Sequence, residues 1–226
     1  AQKERGREAS KDKFASVSVT LNDLSDFNLS NSNPTVFTGY DELKTKAKII
    51  GIKTDAENTL VILDKSPFYV ESGGQTDDLG KLIIDSKSFD VVDVTKIDNH
   101  VIHIINTNNT HLKTGLEVVA EVDDTRRWDI MRNHSVTHFL HKALRTVLGT
   151  HVQQAGSYVG PDRLRFDFTH YAKLTTDEIQ KIESMVNEQT RKNYPLNHHL
   201  NTPFEEAKKM GALMFFGDKY GDKVNV

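Results

Sequence analysis

Six short stretches between residues 47 and 122 do most to limit what this chain can fold into. Ala47–Ile52, Thr59–Leu63, Lys81–Ile84, Phe89–Thr95, His100–Ile105 and Leu116–Val122 are rich in Val, Ile and Thr, the residues that fit a pleated sheet. Thr54-Asp55, Glu57-Asn58, Asp85-Ser86, Asp98-Asn99 and Asn106 to Asn109 separate them with turn residues. Strands this short and this closely spaced predict a small antiparallel β-barrel over residues 35–124.

The periodicity then changes. Arg126 to Leu148 reads as one long helix, with Asp124 or Thr125 as N-cap and Gly149 as C-terminal cap. Val136, Leu140, Ala143, Leu144 and Val147 form its apolar stripe. His151–Ser157 leads into a strand at Tyr158-Val159, Pro161-Asp162 makes a turn, and Arg163–Phe168 alternates as a half-buried strand. Thr175 with Glu178 is a capping-box signature for a helix whose stripe is Ile179, Ile182 and Val186 and which ends near Asn193, ahead of Pro195. Phe204–Met210 reads as a short helix, Ala212–Phe216 as a strand, Gly217–Asp222 as a turn and Lys223–Val226 as the start of another strand. The fold expected is α+β: the barrel, then an α/β two-layer domain over residues 125–226. Residues 1–34 read as a charged helix end followed by an Asn- and Ser-rich linker, which suggests a piece of a longer chain.

Composition narrows the function classes. The net charge of −3 gives no global basic footprint for DNA. No apolar run approaches the ~20 residues that cross a bilayer, and no signal peptide is recognisable. The lack of cysteine fits a reducing compartment, so a cytoplasmic location is expected.

His134 and His138 lie four residues apart in the long helix, so their side chains share one face about a turn apart. Two imidazoles so placed can grip one metal ion; two histidines on a polar face are also often merely solvated, and spacing alone leaves both readings open. Ser135 stands where a protease of the H-E-x-x-H type needs its glutamate base, which argues against that chemistry. His141 continues the stripe, but its Cα falls about 10 Å along the axis from that of His134, so it is expected as a bystander or a substrate contact. Zinc takes three or four protein ligands; other histidines or carboxylates would complete the set, or the missing ligands lie past Val226. Between Thr125 and His151, Arg126, Arg127, Arg132, Lys142 and Arg145 stand against Asp129 alone. Such a run can hold a phosphate backbone, and a solvated helix face explains it equally well. Within Ser66–Gln75, Gly73-Gly74 permit close backbone approach, and the plain reading is a tight turn with Phe68-Tyr69 as core.

Taken together, these stretches resemble the editing region of alanyl-tRNA synthetases. The motifs are Pro67-Phe68-Tyr69 with Glu71-Ser72-Gly73-Gly74-Gln75, Arg126-Arg127, His134-Ser135-Val136-Thr137-His138, and His151-Val152-x-Gln154-x-Gly156-Ser157. Asp162–Phe168 and Phe216–Asp222 complete them. They follow the family's order over residues 36–226, and six in register are highly specific. Three motifs depart from the family's usual pattern: Ser135-Val136-Thr137 replaces Thr-Ala-Thr, Asp77-Asp78 replaces Gly-Asp, and Asp218 replaces Glu. The family's downstream Cys-x-x-x-His zinc motif does not occur in this sequence.

The resemblance implies a hydrolytic second sieve. A pocket for alanine excludes larger side chains but discriminates serine or glycine by only ~1–3 kcal/mol, so mischarged Ser-tRNA(Ala) and Gly-tRNA(Ala) need a separate site that cleaves their ester. By the same resemblance His134 and His138 hold zinc, Gln154 bonds the substrate and helps to select serine, and Thr137 offers a hydroxyl. Arg126, Arg127, Arg132 and Lys219 neutralise phosphates near the acceptor end of tRNA(Ala). ATP and magnesium belong to the aminoacylation part of such enzymes, outside this chain. Two alternatives remain open at the sequence level: a free-standing editing protein of the same superfamily, and a non-catalytic tRNA-binding module.

Overall fold

The computed structural model describes residues 24–27, 29, 33–54, 58–107, 111–195, 197, 199–212 and 221–226. The expected helix end near residue 1, most of the expected strand Ala212–Phe216, and Lys219 lie outside the described residues. Two short strands, β1 (Val36–Phe37) and β4 (Lys65–Ser66), pair in parallel. All six expected strands form: β2 (Lys44–Thr54), β3 (Thr59–Leu63), β5 (Gly80–Ile84), β6 (Lys87–Ile97), β7 (His100–Ile105) and β8 (Glu117–Val122). They close into a barrel in the order β2-β3-β7-β6-β5-β8, and every pairing around it is antiparallel.

The barrel explains why β3 and β7 lack the alternation of a half-buried strand. Side chains on a strand point to opposite faces in turn, and here both faces are covered. Val61, Leu63, Val101 and Ile105 join the main core with Ile49, Phe68 and Leu82. Leu60, Ile62, Ile102 and Ile104 meet a second apolar layer formed by Phe27 and Ile50, with Leu24 and Leu29 packed beside it. A short 3₁₀ turn at Leu24–Asp26 carries part of that cover, within the stretch read as loop or turn.

Past the barrel come α1 (Asp124–Leu148), β9 (Gln154–Val159), β10 (Leu164–Phe168), α2 (Thr176–Lys192), β11 (Thr202–Pro203), α3 (Phe204–Lys209) and β12 (Lys223–Val224). The N-cap of α1 is Asp123 rather than Asp124 or Thr125: its Oδ1 accepts the Arg126 N–H at 3.0 Å. Gly149, with φ +118°, ends the helix as expected. The Thr175/Glu178 capping box is present in both directions, and Asn193 closes α2 in the left-handed conformation. The stripe of α2 differs from expectation at its first position: Ile179 is exposed, while Ile182 is buried and Met185 and Val186 pack beside it.

Contacts divide the chain into two compact units. The first takes the barrel, the start of α1 as far as His134, and Gly156–Arg165; the second takes Ser135–Ala155 and Phe166–Val226. The second has its own core in Ala143, Leu144, Val152 and Ile182, ringed by Leu140, Val147, Phe166 and Phe168. No helix among the described residues is long and apolar enough to cross a membrane.

Candidate functional site

In the first unit the segment Ser66–Asp78 is built from its two ends. Phe68 is wholly buried in the barrel. The Ser66 hydroxyl accepts the Phe68 N–H at 3.1 Å and bonds Nε2 of the buried His103 at 2.7 Å. The far end is held by Asp78, whose carboxylate accepts the Tyr69 N–H at 2.7 Å while its own N–H donates to the Tyr69 carbonyl at 3.0 Å. Asp78 is fully buried and faces Arg127, of which 5% is exposed. Arg127 Nε donates to both carboxylate oxygens at 2.9 and 3.1 Å, and Nη2 reaches the same group. Nη1 and Nη2 also donate to the carbonyls of Gly39 and Pro67, at 2.9 and 2.8 Å. Arg127, expected as a phosphate contact, is therefore a buried clamp: its charge is neutralised by Asp78 and its donors are committed to the barrel.

Between these anchors the chain makes a tight turn, as expected. Gly73 and Gly74 have φ of +62° and +87°, the pair of positive values that a type I′ turn demands. Gln75 N–H donates to Ser72 O at 3.0 Å and Ser72 N–H returns to Gln75 O at 3.2 Å. The turn is more than a connection. Val159 N–H donates to Gly74 O at 2.7 Å and Thr76 N–H to Val159 O at 3.0 Å, so it docks along β9. A Cβ on Gly74 would sit 2.4 Å from Ser157 Oγ and 2.7 Å from Ser157 O, a contact only glycine avoids.

This docking places Gln75, 7% exposed, beside α1. Gln75 Oε1 lies 2.6 Å from His134 Nδ1. One residue earlier on α1, Asn133 Nδ2 donates to the Gly160 carbonyl at 2.8 Å. His134 is half-buried. The sequence places Gln75 in a tight turn and in the Glu71–Gln75 motif but assigns it no role; the two glycines before it, which permit close backbone approach, are the local signal that it is held against something.

The second unit carries the remaining expected residues. Thr137 is 8% exposed. His138 is exposed along α1, yet the atoms around it desolvate the ring enough to hold its pKa below the ordinary histidine value. It is therefore neutral at pH 7. Gln154 opens β9 and is half-buried. His141, 3% exposed, packs its ring 5.0 Å from that of Phe166. Burial, first of all, pushes its pKa down, with Arg145 adding to the effect against a hydrogen bond to the Val152 backbone. His141 is thus buried beside Phe166, in keeping with the bystander of the two roles expected for it.

The remaining basic residues divide by burial. Arg126 is half-buried and its Nη2 donates to the Asp77 carbonyl at 3.2 Å. Arg132 is exposed and pairs with Asp129 at 2.7 Å one turn back, a contact weak enough to yield to another anion. Arg145 Nη1 donates to Val152 O at 2.7 Å.

If a metal binds this helix, His134 and His138 are the donors the sequence offers it. Neutral imidazole is the ligating form, and His134 has its Nδ1 engaged by an outer partner, as metal-binding histidines usually do. Among the described residues, no group of three or more His, Cys, Asp or Glu is placed to hold a metal ion, so the fit is limited to His134 and His138.

A family model described as tRNA synthetases class II (A) matches residues 1–126. With more than half of its length so matched, the chain belongs to the class II (A) tRNA synthetases. The relatives it matches are alanine–tRNA ligases. It is 42% identical over 226 residues to the alanine–tRNA ligase of Pseudothermotoga lettingae, covering all of this chain and 26% of that protein. It is 42% identical over 205 residues to the ligase of Chlorobaculum tepidum (85% of this chain, 23% of that protein). With the Fusobacterium nucleatum ligase the identity is 45% over 195 residues (85% and 22%). The chain thus spans about a quarter of the length of the curated relatives it matches.

Proposed function

We propose that this chain is the editing part of an alanine–tRNA ligase, hydrolysing the ester of Ser-tRNA(Ala) and Gly-tRNA(Ala) presented on the acceptor end of the tRNA. The observation that carries the reading is the paired-histidine face of α1, with His134 Nδ1 2.6 Å from Gln75 Oε1 and His138 one turn on. The relatives, alanine–tRNA ligases, suggest the parent reaction, attachment of alanine to its tRNA.

The residues present divide the work. His134 and His138 would hold zinc, which when bound supplies a Lewis acid able to orient the aminoacyl end or polarise water. Gln154, half-buried at the start of β9, has the amide donor and acceptor to bond a serine hydroxyl or the substrate amine. Thr137 offers a hydroxyl from the same helix. Arg132 is the exposed cation of α1's first turns and suits a phosphate; Arg126 is a weaker candidate because one arm is already bonded, and Lys219 remains a candidate from sequence alone. For serine, selection works by a group that pairs with its hydroxyl, which Ala-tRNA(Ala) lacks and so leaves unpaired; glycine, which has no hydroxyl, is not selected by that group.

The test is deacylation of Ser-tRNA(Ala) by the full-length ligase carrying His134→Ala, His138→Ala or Gln154→Ala. Each histidine variant is expected to lose about a hundredfold or more of the hydrolysis, with alanine attachment retained. Wild-type rates of Ser-tRNA(Ala) hydrolysis in both histidine variants would reject the site, and would favour a module that binds tRNA without chemistry.

A further inference from the structure

The turn at Gly73-Gly74-Gln75 has no part in the reaction as derived above, yet it meets His134 at one atom pair. We propose that Gln75 is a positioning residue that sets the tautomer of His134, with the proton on Nδ1 and the lone pair on Nε2; this deepens the editing reading and rests on it.

A neutral imidazole has one proton to share between two nitrogens, and its partner decides which one carries it. Gln75 Oε1 is an acceptor only, so at 2.6 Å from Nδ1 the ring must donate there. The lone pair then belongs to Nε2, the arrangement found when an outer acceptor orients a metal-binding or basic histidine. The acceptor is held rigidly enough to do this. Gln75 is 7% exposed, and its turn is locked across its own neck by the two Ser72–Gln75 backbone bonds. Two further bonds to Val159 fasten it to β9. Gly74 is required for that docking, since any Cβ there would strike Ser157. The chain of support therefore runs from β9 to the turn, from the turn to the Gln75 amide, and from the amide to the ring. The opposite placing of the amide, with its nitrogen donating to Nδ1, would move the ring proton to Nε2. The two arrangements predict different tautomers, so the proposal is open to direct measurement.

Long-range proton–nitrogen correlation NMR on the 226-residue chain with ¹⁵N-labelled histidine reads the tautomer, and a His134→Gln sample assigns the His134 signals. At a pH where the ring is neutral, the wild-type chain is expected to show a protonated Nδ1 and an unprotonated Nε2. Gln75→Glu keeps an acceptor and should keep that pattern. Gln75→Met removes the acceptor and should shift His134 toward the Nε2–H form that a free histidine side chain prefers. In the full-length ligase, Gln75→Met should lower Ser-tRNA(Ala) hydrolysis about tenfold or more, with Gln75→Glu recovering part of it. An Nε2–H ring in the wild-type chain would overturn the proposal, as would an Nδ1–H ring that persists unaltered in Gln75→Met. If Gln75→Met no longer melts cooperatively, the wild-type and Gln75→Glu spectra decide the matter between them. An Nδ1–H ring in a wild-type ligase without hydrolysis would sink the editing reading and leave the tautomer assignment standing.

Discussion

His103 shows how much one buried side chain can impose on this protein. It lies wholly inside the barrel between Val101 and Ile105. Its Nδ1–H donates to the Val61 carbonyl at 3.1 Å, and its Nε2 meets the Ser66 hydroxyl at 2.7 Å. Burial pushes its pKa down to about 4, because the charged ring has lost its water. In the unfolded chain the same ring titrates near 6.5. Between pH 6.5 and 4 the unfolded state therefore binds more protons than the folded state, and stability falls as the pH falls. The contribution is complete above pH 6.5 and lost by about pH 4, with a slope of at most about 1.4 kcal/mol per pH unit. Urea unfolding at pH 7.5 and 4.5 should show this loss in the wild-type chain. The difference should shrink in His103→Gln, since carboxylate titration is common to both proteins. An equal loss in the two would mean that His103 is not the titrating group. Nothing beside His103 in the sequence distinguishes it from any other residue of a β-type run; its role comes from Val61 and Ser66, which only the closed barrel brings to it.

At the scale of elements, local signals were legible and long-range ones were not. The six strands, α1 and α2 follow from periodicity, turn residues and the Thr175/Glu178 box, all of which act over a few positions. The placing of His134 and His138 on one helix was likewise legible, because residues four apart on a helix share a face. Segment Ser66–Asp78 was not, because its fixings come from Arg127, His103 and Val159, far along the chain. A run of arginines gives no sign of which member will be buried, so Arg127 and Arg132 looked alike. The structure separates them, and so should denaturation. Asp78→Ala leaves a buried guanidinium without its counter-charge and should cost about 3–5 kcal/mol. Arg132→Ala breaks only the exposed pair with Asp129 and should cost less than about 1 kcal/mol. Comparable losses from the two substitutions would contradict the buried clamp.

At the scale of the whole molecule, the two units differ in how much apolar surface they keep dry. The barrel unit buries β3 and β7 on both faces between two apolar layers. Among the described residues the second unit has a fully buried core of Ala143, Leu144, Val152 and Ile182, with partly buried neighbours around it, and α2 contributes Ile182 alone to it. The divided core has a measurable consequence. Native-state hydrogen exchange should protect the amides of β3 and β7 most, with those of α2 exchanging on the order of tenfold faster or more. The same experiment on Ile182→Ala should speed exchange in α2 while leaving β3 and β7 unaltered, because a cavity in one core is felt first by the elements that line it. Uniform acceleration across both units would show instead that the chain opens as one cooperative block, and that its two cores are energetically one.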